Sequence, residues 1–582
     1  MISIRRAGDA ALLLETTQDV HSGTHGGNEA AWIAAAIRAA DLPGVIDVVP
    51  GASTVLVTFR PGEADRDSDL AGRLLRVASH PGAIPAGLTA DPVVIDTVYD
   101  GPDLADVAAL TGLPVAEVIA RHQAAEYQVG WMGFSPGFGY LTGLDPRLAV
   151  PRLDSPRVSV PAGSVAVAGG LAAIYPAASP GGWRLLGRTA AVLWDPDRDP
   201  PALFTPGQRV RFRPVGRLSG PRVPRFTDLA GSKRDKASQP AAKIREMSPR
   251  RWVEVLQPGP LTTIQDLGRP GLAHLGVPSS GAADKGSLRL ANELAGNEEG
   301  AACLEITLGR LELRFGFDAV AAVTGAPAPV SLSAAGRVSD REPESDRGGT
   351  GGLGPAGHAE PLQTAALPGP AHETAFDVPA GTVLRLGAPA TGLRSYLAIN
   401  GGIDVAPVLG SQSADLLSGL GPAPLRPGQV LPVGRARSRQ KMAAGLKPPA
   451  DGQSAATQRR GAPAQAAATV LRVIAGPRDD WFTGPAFAAL TTESYQVTAA
   501  SNRSGLRLAG PPLRRARRDE LSSEGMAAGS LQVSHDGQPI LLLVDHPVTG
   551  GYPVIGVVVS ADLDLAAQLR PGQLVRFRVA GP

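Results

Sequence analysis

Between residues 261 and 307 the chain reads LTTIQDLGRPGLAHLGVPSSGAADKGSLRLANELAGNEEGAACLEIT, and its first part sets Gln265, Asp266, Arg269, His274, Ser279, Ser280 and Asp284 among glycines and prolines. Polar and charged groups at that density, carried on turn residues, are the usual material of binding and catalytic loops. The same composition would also serve a surface turn feeding an amphipathic helix. Residues 286–296 predict that helix: Asp284 or Ser287 can cap it, Leu288, Leu290 and Leu294 recur near helical spacing, and Gly296 closes it.

Further along, Asn292, Glu305, Asn400, Arg503, Glu524, Gln532 and Asp545 stand in similar Gly-rich surroundings, and DHPVTGGYP puts Thr549, Gly550, Gly551 and Tyr552 in one loop. Asp266, Glu305, Glu524 and Asp545 are the carboxylates suited to binding a Mg²⁺-nucleotide or to general base work, although each alone could cap a turn. In the first half the candidates are His122, Arg152, Arg157, Ser179, Gly181, Gly182 and Arg188. SPGGW at 179–183 offers a hydroxyl, two glycines and a nearby arginine, a cradle for phosphate or carboxylate, or else a tight barrel turn. His122 lies on a short predicted helix, where a histidine is more often packed than catalytic.

The elements that must position these groups are mostly strands. Residues 1–88 mix strand-like runs (10–14, 45–59) with helical ones (28–40, 67–78), a small α+β domain. Residues 89–215 open with a strand at 92–99 and two helical pieces, then break into short apolar runs between Pro and Gly turns, which suits a small β-barrel. An internal repeat supports this: TPGQRVRF at 205–212, RPGQVLPV at 426–433 and RPGQLVRF at 570–577, with a looser echo, PAGTVLRL, at 379–386. Each is a Pro-Gly turn feeding an alternating strand, and the copies imply tandem barrels, one in the first half and two in the second. The expected division is therefore a barrel at 89–215, a basic linker at 216–250, a barrel at 251–434 with an insertion at 340–370, a polar tract at 435–461, and a last barrel at 462–582. The fold class is mainly β, with an α+β N-terminal domain.

Composition narrows the function classes. With 582 residues, 43% hydrophobic and 19% charged, the chain has material for several cores. Its 56 basic and 54 acidic residues leave a net charge of +2, so no global field draws it to nucleic acid or a membrane. The single cysteine, Cys303, lies in an apolar run and excludes a disulfide framework or thiolate cluster. The apolar run near the N-terminus stops at Glu15, too short for a signal core, which places the protein in the cytoplasm. There is no G-x-x-x-x-G-K-[ST] loop, no G-x-G-x-x-G opening a helix, no zinc-ligand spacing, no G-x-S-x-G elbow and no biotin-carrier lysine.

Four blocks of the second half, at 261–307, RSYLAINGGIDVAPVLGS (394–411), SNRSGLRLAGPPL (501–513) and SEGMAAGSLQVSHDGQPILLLVDHPVTGGYP (523–553), resemble the C subunit of 5-oxoprolinase, also called allophanate hydrolase subunit 2, of the biotin-dependent carboxyltransferase family. The run at 127–189 that opens YQVGWMGFSPGFGYLTGL, with GDAALLLE and VVPGASTVLVTF before it, is similar to the B subunit of 5-oxoprolinase, or allophanate hydrolase subunit 1. The resemblance implies cyclophilin-like barrels and cleavage of the 5-oxoproline lactam to glutamate with ATP and Mg²⁺, beside a separate 5-oxoprolinase A subunit. An amide carbonyl is a poor electrophile; phosphorylating its oxygen would make an imidate that water can attack. The alternatives are a carboxyltransferase-like or allophanate hydrolase-like part of urea degradation, which the missing biotin carrier weakens, and a regulator like the inhibitors of a sporulation histidine kinase. Asn502 stands where the family more usually carries an acid.

Overall fold

The computed structural model describes residues 2–16, 29–61, 69–80, 91–153, 155, 157–219, 251–334, 370–436, 468–517 and 519–581. The expected insertion at 340–370 and most of the two expected linkers lie outside these residues.

Four units follow one another. In the first, strands Ile2–Arg6, Ala11–Thr16, Thr54–Phe59 and Val45–Pro50 form an antiparallel sheet in that order. Helices Glu29–Ala39 and Leu70–Ser79 cover one face, burying Ile33, Ile37, Leu70 and Leu74 against Leu14, Val55, Val57 and Phe59. The other face is covered too: Leu13, Val49 and Leu56 pack on Ala273 and Val548 of the second half. Burial on both sides explains why TVLVTF is a nearly continuous apolar run and does not alternate.

The second unit is a barrel-shaped seven-stranded sheet running from Val93–Thr97 to Arg209–Pro214, with helices Leu104–Thr111 and Val115–Ala124 packed on its core. A two-stranded arm, Arg157–Val160 with Ser179–Gly181, projects from it. The third unit packs two five-stranded sheets around a core of Val253, Ile264, Leu304, Leu313, Leu384 and Leu397. Helix Lys285–Ala295, expected from its leucine spacing, lies against the second of these sheets through Leu288, Ala291 and Ala295. The fourth unit is a closed seven-stranded barrel that begins at Thr469–Ala475 and ends at Leu574–Val579. The whole is mainly β, as expected.

The PGQ repeat has one structural job in all three units. Gly207, Gly428 and Gly572 are left-handed, with φ of 88°, 77° and 89°. The following glutamine turns back so that its Oε1 accepts the backbone N–H of Thr205, Arg426 or Arg570. The strand that leaves the turn pairs with the first strand of its own unit: Arg209–Pro214 with Val93–Thr97, Val430–Pro432 with Trp252–Gln257, Leu574–Val579 with Thr469–Ala475. The repeat is thus a closing strand.

Candidate functional site

The candidates of 265–284 do not point into open space. Asp266 accepts from Ser411 Oγ (2.7 Å), Ser413 Oγ, and the N–H groups of Gly268 and Gln412 (both 2.7 Å). Gln265 donates to the Ala414 carbonyl (2.9 Å) and Arg269 to the Ser413 carbonyl (2.5 Å). The end of strand Leu261–Gln265 therefore clamps residues 408–414. Asp284 caps the helix, accepting from Ser287 N (2.8 Å), and also receives Gln568 Nε2 (2.8 Å) from the last barrel. Asn292 and Asn400 hold the far end of that helix, by bonds to the carbonyls of Ala301 and Ala295 (both 2.8 Å).

Arg503 is the buried centre of the second half. It reaches Asp545 through Nε (2.8 Å) and Nη2 (3.1 Å), Glu305 through Nη1, and the Gly281 carbonyl (2.5 Å). Burial opposes its charge, but Asp545 and Glu305 outweigh that and hold its pKa above the ordinary guanidinium range. Burial likewise pushes Glu305 up, while Arg503 and Arg394 pull harder and leave it below the usual carboxylate range. Glu305 also accepts from Ala283 N (2.9 Å) and Tyr396 Oη (2.8 Å). Ser280, held left-handed at φ 51°, donates to Asp545 (2.7 Å). Removing one member would strand charges in the interior, which typically costs ~3–5 kcal/mol. This cluster anchors residues 545–552.

Those residues form one wall of a seam between the halves. Thr549 Oγ1 accepts the Phe134 N–H (2.9 Å) and lies 3.4 Å from Tyr140 Oη. Phe134 is itself left-handed, φ 62°. Gly133 leaves room for the contact: a Cβ there would lie 2.3 Å from Thr549 Oγ1. Gly276 meets the Ser135 carbonyl in the same way, at 2.5 Å from its would-be Cβ. A non-glycine residue in this strained region marks a place where surrounding structure over-determines the backbone. Gln532 braces the loop by donating to the Tyr552 carbonyl (3.3 Å), and Gly550 pairs with Glu524. The Tyr552 ring receives Arg515 at 5.8 Å from its centroid.

Groups with capacity left over stand on both walls, Arg515 Nε on the second-half side and a set on the first-half arm. The arm places Gly181 opposite Arg157 and Ser179 opposite Val160. Arg157 gives Nη2 to Asp103 (2.5 Å), while its Nη1 and the Ser179 Oγ are buried with no partner among the described residues. Gly181 is required by the Tyr175 hydroxyl, which a Cβ would approach to 2.2 Å. Burial pushes the Tyr175 hydroxyl up to about 12, against the Trp183 N–H and the nearby Arg152 and Arg157 charges. The Gly182 carbonyl accepts Leu153 N (2.7 Å), which draws Arg152 to the arm. Arg152 is exposed, and a methyl on Gly551 would lie 3.8 and 3.9 Å from its Nη1 and Nη2. The structure thus sets Arg152 beside Gly551 and Thr549 against Phe134 and Tyr140 along one seam, with Arg157, Ser179, Gly181 and Gly182 on the arm of the first-half side.

Other candidates are elsewhere. His122 is fully buried between Tyr99, Tyr127 and Phe212, its Nδ1 2.9 Å from Tyr99 Oη, and burial lowers its pKa to about 3. It is a neutral core residue and no catalytic base. Arg188 pairs with Asp100 (2.9 Å). Glu524 is held by Arg478, which also binds Glu15 of the first unit, so it ties units together and is no base either. Asp266, Glu305 and Asp545 are likewise filled by protein donors. Asn502 caps its own turn, accepting from Ser504 N (2.8 Å), and leaves the ion cluster complete without an acid there. Sequence reasoning missed Tyr175, Ser413 and Arg478. Tyr175 lies inside the 127–189 motif and Ser413 just past the 394–411 one, whereas Arg478, in AGPRDDW, gave no signal.

The carboxyltransferase domain, subdomain C and D, matches residues 2–204, and subdomain A and B matches 275–348 and 357–579. The 5-oxoprolinase C subunit of Escherichia coli K12 is 34% identical over 330 residues, 56% of this chain and 90% of that protein. The 5-oxoprolinase B subunit of Escherichia coli O157:H7 is 39% identical over 208 residues, 36% of this chain and 93% of that protein. The crystal structure of TTHA0988 superposes over 99% of this chain and 100% of its own, at 32% identity and a TM-score of 0.75. The seam just described therefore joins a half like the B subunit to a half like the C subunit, and the chain belongs to the carboxyltransferase-domain family with both domain pairs fused in one polypeptide.

Proposed function

We propose that this chain is a component of an ATP-dependent 5-oxoprolinase, opening the 5-oxoproline lactam to L-glutamate together with a separate A subunit. One observation carries the reading: the regions matching the B and C subunits of such an enzyme meet at a seam whose unfilled groups are donors suited to an anion, Arg152, Arg157 Nη1 and Ser179 Oγ. 5-Oxoproline is a carboxylated lactam, and a wall of this kind can seat it.

At the carboxylates expected to hold a Mg²⁺-nucleotide, the metal would have to compete with protein donors. Asp266, Glu305, Glu524 and Asp545 already accept arginines, hydroxyls or amides, and among the described residues no group of three His, Cys, Asp or Glu is arranged to hold a metal ion. In this proposal ATP and its Mg²⁺ are brought by the A subunit, and this chain binds and orients the lactam. The chain alone is then nearly inactive. Mixing it with the A subunit, Mg²⁺-ATP and 5-oxoproline should release glutamate, measured by a coupled assay; no glutamate at saturating substrate would overturn the assignment.

A further inference from the structure

From the orphaned donors on the arm we infer that the first half, the one like the B subunit, carries the carboxylate seat of the substrate, with Arg152 as its cation. This rests on the function proposed above and adds which half recognises the ligand and by which group. Three observations converge. Arg157 Nη1 and Ser179 Oγ are buried without a partner among the described residues, and a buried donor left unpaired is costly unless a ligand or water completes it. Arg152 has no hydrogen bond or ion pair with any described residue, although every other arginine on the site's two walls has one: Arg157 with Asp103, Arg503 with Asp545, Arg515 with the Val533 carbonyl. Finally, the Arg152 guanidinium reaches across the seam, where its Nη1 and Nη2 would lie 3.8 and 3.9 Å from a Cβ added at Gly551, with the Leu521 carbonyl beside them.

A guanidinium, a second N–H and a hydroxyl gathered at a glycine-lined wall are the donor set of a carboxylate, for which the planar fork of arginine is well matched. Tyr175 stands beside Gly181 on the arm, its hydroxyl 2.2 Å from where a Cβ there would lie. Recognition then depends on the negative charge of the ligand more than on its ring. A neutral lactam offers Arg152 only uncharged carbonyl acceptors and binds more weakly.

The test is calorimetric titration of the intact chain with 5-oxoproline, with its neutral carboxamide and with glutamate, repeated on Arg152→Gln, Arg152→Lys and Ser179→Ala after their thermal unfolding is matched to the parent protein. The complex with the A subunit is assayed in parallel for the Michaelis constant. The seat predicts at least tenfold weaker 5-oxoproline binding, or a tenfold higher KM, for Arg152→Gln, a smaller loss for Arg152→Lys and Ser179→Ala, and at least tenfold discrimination against the carboxamide. Wild-type affinity and KM in Arg152→Gln, equal affinity for acid and carboxamide, or no binding of any of the three with an unchanged KM, overturns it. If the carboxylates bind in an Arg152-dependent way and the complex makes no glutamate, the 5-oxoprolinase reading fails and the seat stands.

Discussion

His122 illustrates how burial decides what an ionisable residue does. Enclosed by Tyr99, Tyr127 and Phe212, it is neutral in the folded protein, with a pKa lowered from 6.5 to about 3. The unfolded chain binds its proton below pH 6.5, so the folded state gains from this residue above that pH and loses the gain as pH falls toward 3. The loss approaches ~1.4 kcal/mol for each pH unit. His122→Leu should flatten the acid limb of the stability curve by about that slope, read from urea unfolding at pH 6.5, 5.5 and 4.5, and leave kcat/KM of the assembled enzyme unchanged at neutral pH. An identical slope in both proteins would mean that the imidazole is not shielded. Asp266, Glu305 and Asp545 make the complementary point: their motif surroundings mark them as special, and what is special is that each is saturated by donors that hold loops in place.

Among the elements, the PGQ turn is where sequence and structure correspond most directly. A Cβ added at Gly207, Gly428 or Gly572 would meet nothing within 4 Å, so alanine there has no steric cost beyond its own backbone. The left-handed conformation alone should destabilise each Gly→Ala variant by ~1–2 kcal/mol, measured by chemical unfolding of the three single mutants. Near-equal values are expected because the three turns share one glutamine lock. A variant as stable as the parent would show that its turn does not require the left-handed form. This unit, the α+β pattern of the first domain and the leucine-spaced helix were legible because each depends on contacts within one element or one hairpin. The site was only half legible. SPGGW and DHPVTGGYP could be read as anion-friendly loops, but nothing local says that they face each other. The contact between Phe134 and Thr549 spans 415 residues. Arg478, whose two carboxylate partners lie in different units, is invisible for the same reason.

For the molecule as a whole, the question is whether the halves cohere without a covalent connection, as the separately named relatives of each half suggest. Several contacts cross between them. Asp47 accepts the Gly271 and Ala273 N–H groups (2.9 and 3.0 Å), Asp9 accepts Ser560 N (3.0 Å), Arg478 joins Glu15 to Glu524, and the Ala52 N–H donates to the Ser523 carbonyl (2.9 Å). Apolar packing of Leu13, Val49 and Leu56 on Ala273 and Val548 adds a continuous buried face. Each polar contact is modest singly, but the set covers a sheet face and a loop seam together, in the manner of an obligate interface. A protease site placed within 220–250 should therefore be cut without separating the halves, which should co-elute in gel filtration at micromolar concentration. Gly133→Val tests the seam specifically. Its backbone is not left-handed, and the atoms nearest to an added Cβ are those of Thr549, whose Oγ1 and Cγ2 would lie 2.3 and 2.5 Å away. The cut Gly133→Val protein should dissociate, or bind at least tenfold more weakly, and the uncut variant should lose glutamate formation with its halves still folded. Co-elution of the cut variant with full activity would mean that the two walls need not touch at Thr549.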